Sequence, residues 1–273
     1  MKRFPPRIHV LLARKAPLGI IIRRGPSKAV CTILWNRRSD EFQLGQWLKG
    51  RIYEQQSNLS PDGKYLIYFA MNGKGIGAYT AVSRAPYLKA IAMFPRDDCW
   101  NGGGLFTGNN TYWLDDGYGH TTLHNTREVR RDWWSRLFGC FGGGCPNVYH
   151  LRLVRDGWKF AERVDVTQGK TYDAFEKQLS GGWILRKLAH AGSSIGAPVG
   201  KGCHWDEHEL VHHPSETLIK CADWEWADSD GERLVWAIGG KLCAGKLQDK
   251  ALVGEVELAD FNDMTFQPIK APY

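Results

Sequence analysis

The sequence predicts an all-β protein, and three observations carry that prediction. Three stretches pair a tight-turn dipeptide with aromatic and β-branched residues: 60–69 around Asp62-Gly63, 153–160 around Asp156-Gly157, and 230–237 opening on Asp230-Gly231. Asp-Gly in such surroundings is the strongest short-range hairpin signal a chain offers. A second glycine turn, Gly239-Gly240, follows the third hairpin at once, so strands succeed one another as a meander. The chain also carries 12 Trp, 11 Phe and 10 Tyr, types that favour strands and fill the space between sheets.

Taken in order, the apolar runs 8–12 and 18–22 are joined through Pro17 and closed by Arg23-Arg24-Gly25-Pro26, which reads as two short strands. Residues 30–35 and 41–47 read as strands around the polar turn 36–40. Gly50-Arg51-Ile52-Tyr53 then leads through polar residues into the Ser60 hairpin. One set of hairpins thus occupies about 45 residues, the period of a propeller blade. Further strands are expected at 79–83, 87–94 and Tyr112-Trp113, with a Gly/Asn/Asp-rich loop over 97–119. The glycine run 102–104 has no Lys in Walker position, which argues against a phosphate cradle.

Residues 126–138 are the best helix candidate. Val129, Trp133 and Leu137 recur at i, i+4 and i+8, arginines fill other positions, and Gly139 suits a stop. From 148 the pattern returns to strands, at 149–154, 158–164 and 183–188, with a short helical segment at 172–179 and a Gly/Ser-rich loop over 191–202. Residues 217–258 give the clearest meander, and four-stranded meanders of this size are propeller blades.

Ser60-Pro61-Asp62-Gly63-Lys64-Tyr65-Leu66 resembles the repeat core of TolB-type and WD40-like β-propellers, in which this turn links two strands of one blade. The 230–236 turn is similar but lacks the Ser-Pro, and the Gly-His and Trp-Asp marks of WD40 repeats do not recur at regular spacing. The resemblance covers one blade and implies a platform that binds through its faces; it transfers no catalytic residue. The expected fold is all-β, a single small β-propeller of about five antiparallel blades spanning 1–273, with one short helix inserted at 126–138.

Charge is uneven. The net charge is +7, and ten basic residues from Lys2 to Arg38 precede the first acid, Asp40, whereas acids crowd the last quarter. Such asymmetry fits an anionic partner at the basic end, or two ends that complement each other in one fold. Arg23, Arg24, Arg37 and Arg38, with Trp133 and Trp134 as stacking surfaces, are the partner-binding candidates for a protein or a nucleic acid. No recognised nucleic-acid module accompanies them.

No apolar run approaches the roughly 18 residues that span a bilayer. The apolar stretch near the N-terminus is too short for a signal peptide, so a cytoplasmic protein without a membrane partner is expected. Seven cysteines, an odd number, suit a reducing compartment, and the spacing Cys140-Phe-Gly-Gly-Gly-Cys145 suits neither a thioredoxin motif nor a zinc knuckle.

The sharpest chemical match is His208-Glu209-Leu210-Val211-His212, which on a helix would place two imidazoles one turn apart for zinc, with Glu209 polarising the bound water. Pro214 closes the segment too early for such a helix, and a strand is the better reading, with both histidines on one face and the catalytic arrangement lost. Asp223, Glu225, Asp228 and Asp115-Asp116 could supply paired carboxylates for glycoside hydrolysis, yet acids beside turns usually satisfy backbone amides. The sequence therefore favours a non-catalytic binding or scaffold module for another protein, within a larger bacterial-type complex and with no cofactor or metal. The alternatives are a hydrolase, either a propeller glycosidase or a zinc enzyme on His208 and His212, and a nucleic-acid-contacting subunit.

Overall fold

A computed structural model describes residues 4–25, 28–72, 75–98, 101–115, 121–133, 147–166, 170–191 and 204–273. Strands dominate them: β1 (Arg7–Leu12), β2 (Leu18–Arg24), β3 (Ala29–Asn36), β4 (Glu41–Lys49), β5 (Arg51–Leu59), β6 (Tyr65–Asn72), β7 (Gly77–Arg84), β8 (Ala90–Arg96), β9 (Gly104–Phe106), β10 (Thr111–Leu114) and β11 (Arg130–Arg131). After the helix α1 (Asn147–Arg155) come β12 (Lys159–Val166), β13 (Lys170–Gln178), β14 (Trp183–Ala191), β15 (His204–His212), β16 (Thr217–Cys221), β17 (Trp224–Asp230), β18 (Arg233–Ile238), β19 (Lys241–Gln248) and β20 (Ala251–Asp260).

Sequence neighbours are spatial neighbours throughout. β1–β4, β5–β8 and β17–β20 each form a four-stranded sheet in that order, and β12–β16 form a five-stranded one. All of these are antiparallel meanders, which short connections permit. The fifth sheet, β11-β10-β9, is the exception. Thr111 and Tyr112 pair in parallel with Arg130 and Arg131.

The chain divides into two compact units. Unit 1 comprises Met1–Ile8 and Leu153–Asp263, and unit 2 comprises His9–Arg152 and Met264–Tyr273. In unit 2 the core gathers Ile20, Ile22, Val30, Leu66, Tyr68 and Ala81 from the first two sheets, all nearly sealed from solvent. Full burial of each large apolar side chain contributes about 1.5–3 kcal/mol.

The Ser60 turn explains its own sequence. Ser60 Oγ donates to Asp62 Oδ1 at 2.7 Å and accepts from Tyr65 N at 2.9 Å, while Ser60 N and Tyr65 O close the hairpin at 2.8 Å. The Asp230-Gly231 and Gly239-Gly240 turns likewise join β17 to β18 and β18 to β19.

Five expectations fail. The 126–138 helix is absent over its described part, 126–133. Val129 is buried while Trp133 is 66% exposed, so the two do not share an apolar stripe, and Arg130–Arg131 joins a sheet. The remaining positions of that helix lie outside the described residues, as do residues 192–202 of the expected loop 191–202, while Ala191 ends β14. The helix sits instead at Asn147–Arg155, where a strand was expected. Val148, Tyr149, Leu151 and Leu153 are all buried, together with His150 and Arg152, so the segment shows no clean period by which to tell strand from helix.

Asp156-Gly157 is accordingly a helix stop and not a hairpin. Trp158 N donates to Leu153 O at 3.0 Å and Gly157 N to Val154 O at 3.2 Å, with Gly157 at φ +91°, the Schellman pattern that glycine closes at least cost. The helix expected at 172–179 is strand β13, which pairs along its length with both β12 and β14. Within the expected loop 97–119, finally, stand β9 and β10.

The glycine run beside β9 has a packing cause. A Cβ on Gly103 would stand 1.9 Å from Gln56 O, and one on Gly102 would stand 2.4 Å from the Phe69 ring. Backbone here lies directly against backbone and ring, which only glycine allows.

Candidate functional site

The strand reading of 208–212 holds, and it separates the two histidines. Both lie on β15 and face the same side, about 13 Å apart along a strand. A zinc ion needs both ring nitrogens within about 2 Å. Each histidine is also engaged at both nitrogens. His208 Nε2 accepts from Lys187 Nζ at 2.9 Å, and its Nδ1 donates to Trp224 O at 3.1 Å. His212 stacks on Trp183 and contacts Ser215 Oγ at 2.6 Å through Nδ1 and Gly181 O at 3.0 Å through Nε2. Glu209 points to the other face, 3.6 Å from Arg186. Among the described residues no group of three or more His, Cys, Asp or Glu side chains could hold a metal ion.

What β15 does bring together in unit 1 is a buried ionic row. Lys187 and Asp206 have side chains only 1% exposed, with Nζ 3.5 Å from Oδ2. The Trp158 ring carries two ammonium groups, Lys187 at 4.8 Å and Lys177 at 5.1 Å. Lys177 is in turn neutralised by Asp228 at 2.6 Å. A buried ammonium is tolerable only with such partners.

Of the carboxylates weighed for glycoside chemistry, Asp228 and Glu225 are absorbed in the same way, whereas Asp223 is exposed. Asp228 serves Lys177 and also accepts from Ser229 N at 2.7 Å, and Glu225 accepts from Ile8 N at 2.7 Å. Asp115 is buried, whereas Asp116 lies outside the described residues.

The arginine candidates divide sharply. Arg23 is 1% exposed, lies over the Trp47 ring at 5.5 Å and donates to Gly25 O. Burial holds its pKa below the usual arginine value. Arg24 pairs with Glu54 at 2.9 Å, and Arg37 ties down Ala13 O and Ala16 O at 3.0 and 2.7 Å. Of the four, Arg38 is the exposed one. Trp133 faces solvent beneath the Arg131 guanidinium, 3.5 Å from its ring centroid, and Trp134 lies outside the described residues. Cys140 and Cys145 lie there too. Burial pushes the thiols of Cys31 and Cys221 up to about 12, which keeps them protonated and unreactive at neutral pH.

Two arrangements in unit 2 escaped the sequence reading. One is the polar strand β5. Glu54, Gln55, Gln56, Ser57 and Asn58 are all buried, because the register jumps between Tyr53 and Asn58 and the intervening residues bulge from the ladder. Arg152 fills the concavity, donating to Glu54 O at 3.1 Å, to Ser57 O, and to His9 Nε2 at 2.8 Å. No local signal marks this strand, since its partner Arg152 is 95 residues or more away.

The second is the surface segment 264–273, which lies against β4 and the end of β7 with Phe266 itself 40% exposed. The ring of Phe266 packs on Trp47 with centroids 5.9 Å apart, and Tyr273 lies under the Arg84 guanidinium at 4.6 Å. Phe-x-Pro and Pro-Tyr are the sequence marks of this segment.

No family model matches the chain, and no curated protein matches it. Among solved structures, hydrazine synthase of Kuenenia stuttgartiensis superposes with a TM-score of 0.31 at 8% sequence identity, over 90% of this chain and 78% of that one. No helix among the described residues is long and apolar enough to cross a membrane.

Proposed function

We propose that the chain is a non-catalytic binding module of β-propeller type, its consecutive meander sheets serving as blades, which docks another protein within a larger assembly. One observation carries this reading: among the described residues, the buried histidine, lysine and arginine clusters are committed to internal partners. Lys187 pairs with Asp206 and donates to His208 beside Trp158, His212 is held by Ser215 and Gly181, and Arg152 is spent on β5. Catalytic groups must instead present a free atom to a substrate within hydrogen-bond reach. Sheets whose buried charges are paired internally leave their edges and loops to a partner.

Native affinity purification at low and high salt, followed by mass measurement of the assembly, tests the proposal. The expected result is another chain retained in fixed stoichiometry. Recovery of the protein alone at both salt concentrations, or turnover of a glycoside or ester substrate abolished by His212→Ala, overturns it.

A further inference from the structure

The positive charge of the chain is not shared between the units. Unit 2 carries 20 Lys and Arg against 10 Asp and Glu, whereas unit 1 carries 16 against 19. Such an imbalance sets up a field that gathers anions over one unit only. Part of it is cancelled on site, where Arg84 bonds Glu128 and Arg24 bonds Glu54. Lys28, Lys49, Arg51, Lys89, Arg127 and Arg130 are different: all are exposed, and none has an Asp or Glu partner among the described residues.

These cations alternate with aromatic rings. Gly50 N donates to Lys28 O at 2.8 Å and Lys49 pairs with Ala29 across the ladder, so Lys28, Lys49 and Arg51 meet at one corner. There Arg51 covers Tyr53 at 5.7 Å, and Lys49 covers Phe266, itself 40% exposed, at 4.8 Å. Residues 266–273 carry the row onward. Gln46 Nε2 donates to Ile269 O at 2.8 Å, and Tyr273 has Lys89 and Arg84 over its ring at 5.3 and 4.6 Å. Tyr273 also packs against the cluster that holds Val129, and Arg84 bonds the adjacent Glu128 at 2.9 Å. Arg127 and Arg130 flank that pair, and Trp133 follows, 66% exposed with the Arg131 guanidinium 3.5 Å from its centroid.

Cations at intervals with open rings between them match a flexible chain that alternates phosphates with flat bases. A chain of carboxylates would use the cations and leave the rings idle. A duplex keeps its bases stacked on one another, out of reach of a ring on the protein surface. An exposed ammonium is held on a ring only weakly, so Lys49 can turn to a phosphate and clear Phe266 for a base.

We propose that unit 2 binds single-stranded nucleic acid along this stripe, its phosphates on the six exposed cations and its bases stacked on Phe266 and Trp133. The proposal goes beyond the protein-docking reading. Its test uses purified full-length protein and synthetic DNA with no second protein present, so either reading can fail alone.

Fluorescence anisotropy of a labelled oligothymidylate is expected to show binding at low salt, with log affinity falling against log salt at a slope of about −4 for six phosphate contacts. Lys28→Gln with Lys49→Gln and Arg51→Gln should bring that slope to about −2. Lys220→Gln with Lys246→Gln and Lys250→Gln, which removes as many exposed cations from unit 1, should leave it unchanged. Trp133→Ala should weaken binding about tenfold at constant slope, since salt does not screen a lost stack. All of these positions are exposed, and circular dichroism checks each fold. No binding at low salt, equal loss of slope in the two triple variants, unaltered affinity in Trp133→Ala, or tighter binding of a duplex or of poly-glutamate of equal charge overturns the proposal.

Discussion

Cations lie over aromatic rings in both units, with opposite structural consequences. In unit 1 the Trp158 ring is sealed, and the two ammonium groups on it each have a carboxylate close by, Asp228 at 2.6 Å and Asp206 at 3.5 Å. In unit 2 the Phe266 and Tyr273 rings belong to a surface segment, and Lys49 and Lys89, which cover them, stand in the exposed class. The pairing chemistry is the same, but desolvation is not. A buried ammonium locks its surroundings because separating it from its partners is costly, whereas an exposed one holds a ring by a contact that water can replace.

The largest effect that could break this comparison lies in the buried row. Lys187→Ala strips Asp206 and His208 of their cation and is expected to destabilise the fold by about 3–5 kcal/mol in urea unfolding. Lys187→Met combined with Asp206→Leu should recover most of that loss, since an apolar pair of similar volume removes both desolvation penalties. A single variant that costs under about 1 kcal/mol would place Lys187 in a wetter site than its 1% exposure allows.

Tyr273→Ala comes next. It removes one ring and its cation contacts at the surface, and is expected to cost about 1 kcal/mol, read as a small fall in Tm. A loss equal to that of Lys187→Ala would show that this exposed contact is held as firmly as the buried row.

The smallest effect is a pH dependence at Arg84, the residue over Tyr273. The Arg84 guanidinium, bonded to Glu128 in two places, holds the Glu128 carboxyl below its ordinary value. A depressed carboxyl contributes stability above its unfolded pKa and loses it as pH falls through the folded one. Unfolding followed from pH 5 downward should therefore show a slight extra loss at the acid end, of which Glu128→Gln is free. Glu128 is partly exposed, so salt should screen the difference.

Much of the strand layout was legible because its causes are local. Asp62-Gly63, Asp230-Gly231 and Gly239-Gly240 set turns within four or five residues, and Pro214 kept 208–212 out of a helix. The failures share the opposite cause. Asp156-Gly157 can close either a hairpin or a helix, and only the burial of Val148, Tyr149 and Leu151 on all sides decides which. Glu54-Gln55-Gln56-Ser57-Asn58 looks like a solvated stretch until Arg152 is seen to satisfy it. The same holds for the site candidates, since Arg23 and Arg38 are alike in sequence, and only the tertiary fold buries one and exposes the other.

The glycine run against β5 has a bearing on how this sequence can drift. At Gly231 an added Cβ would meet nothing within 4 Å, so Asn or Asp, which tolerate a left-handed backbone, could take its place at small cost. At Gly103 the same atom would be forced into the carbonyl of Gln56, and no other residue fits until β5 itself moves. The bulge in β5 and the glycine facing it can therefore be inherited or lost only together, and a saturation library should find position 231 permissive and position 103 closed.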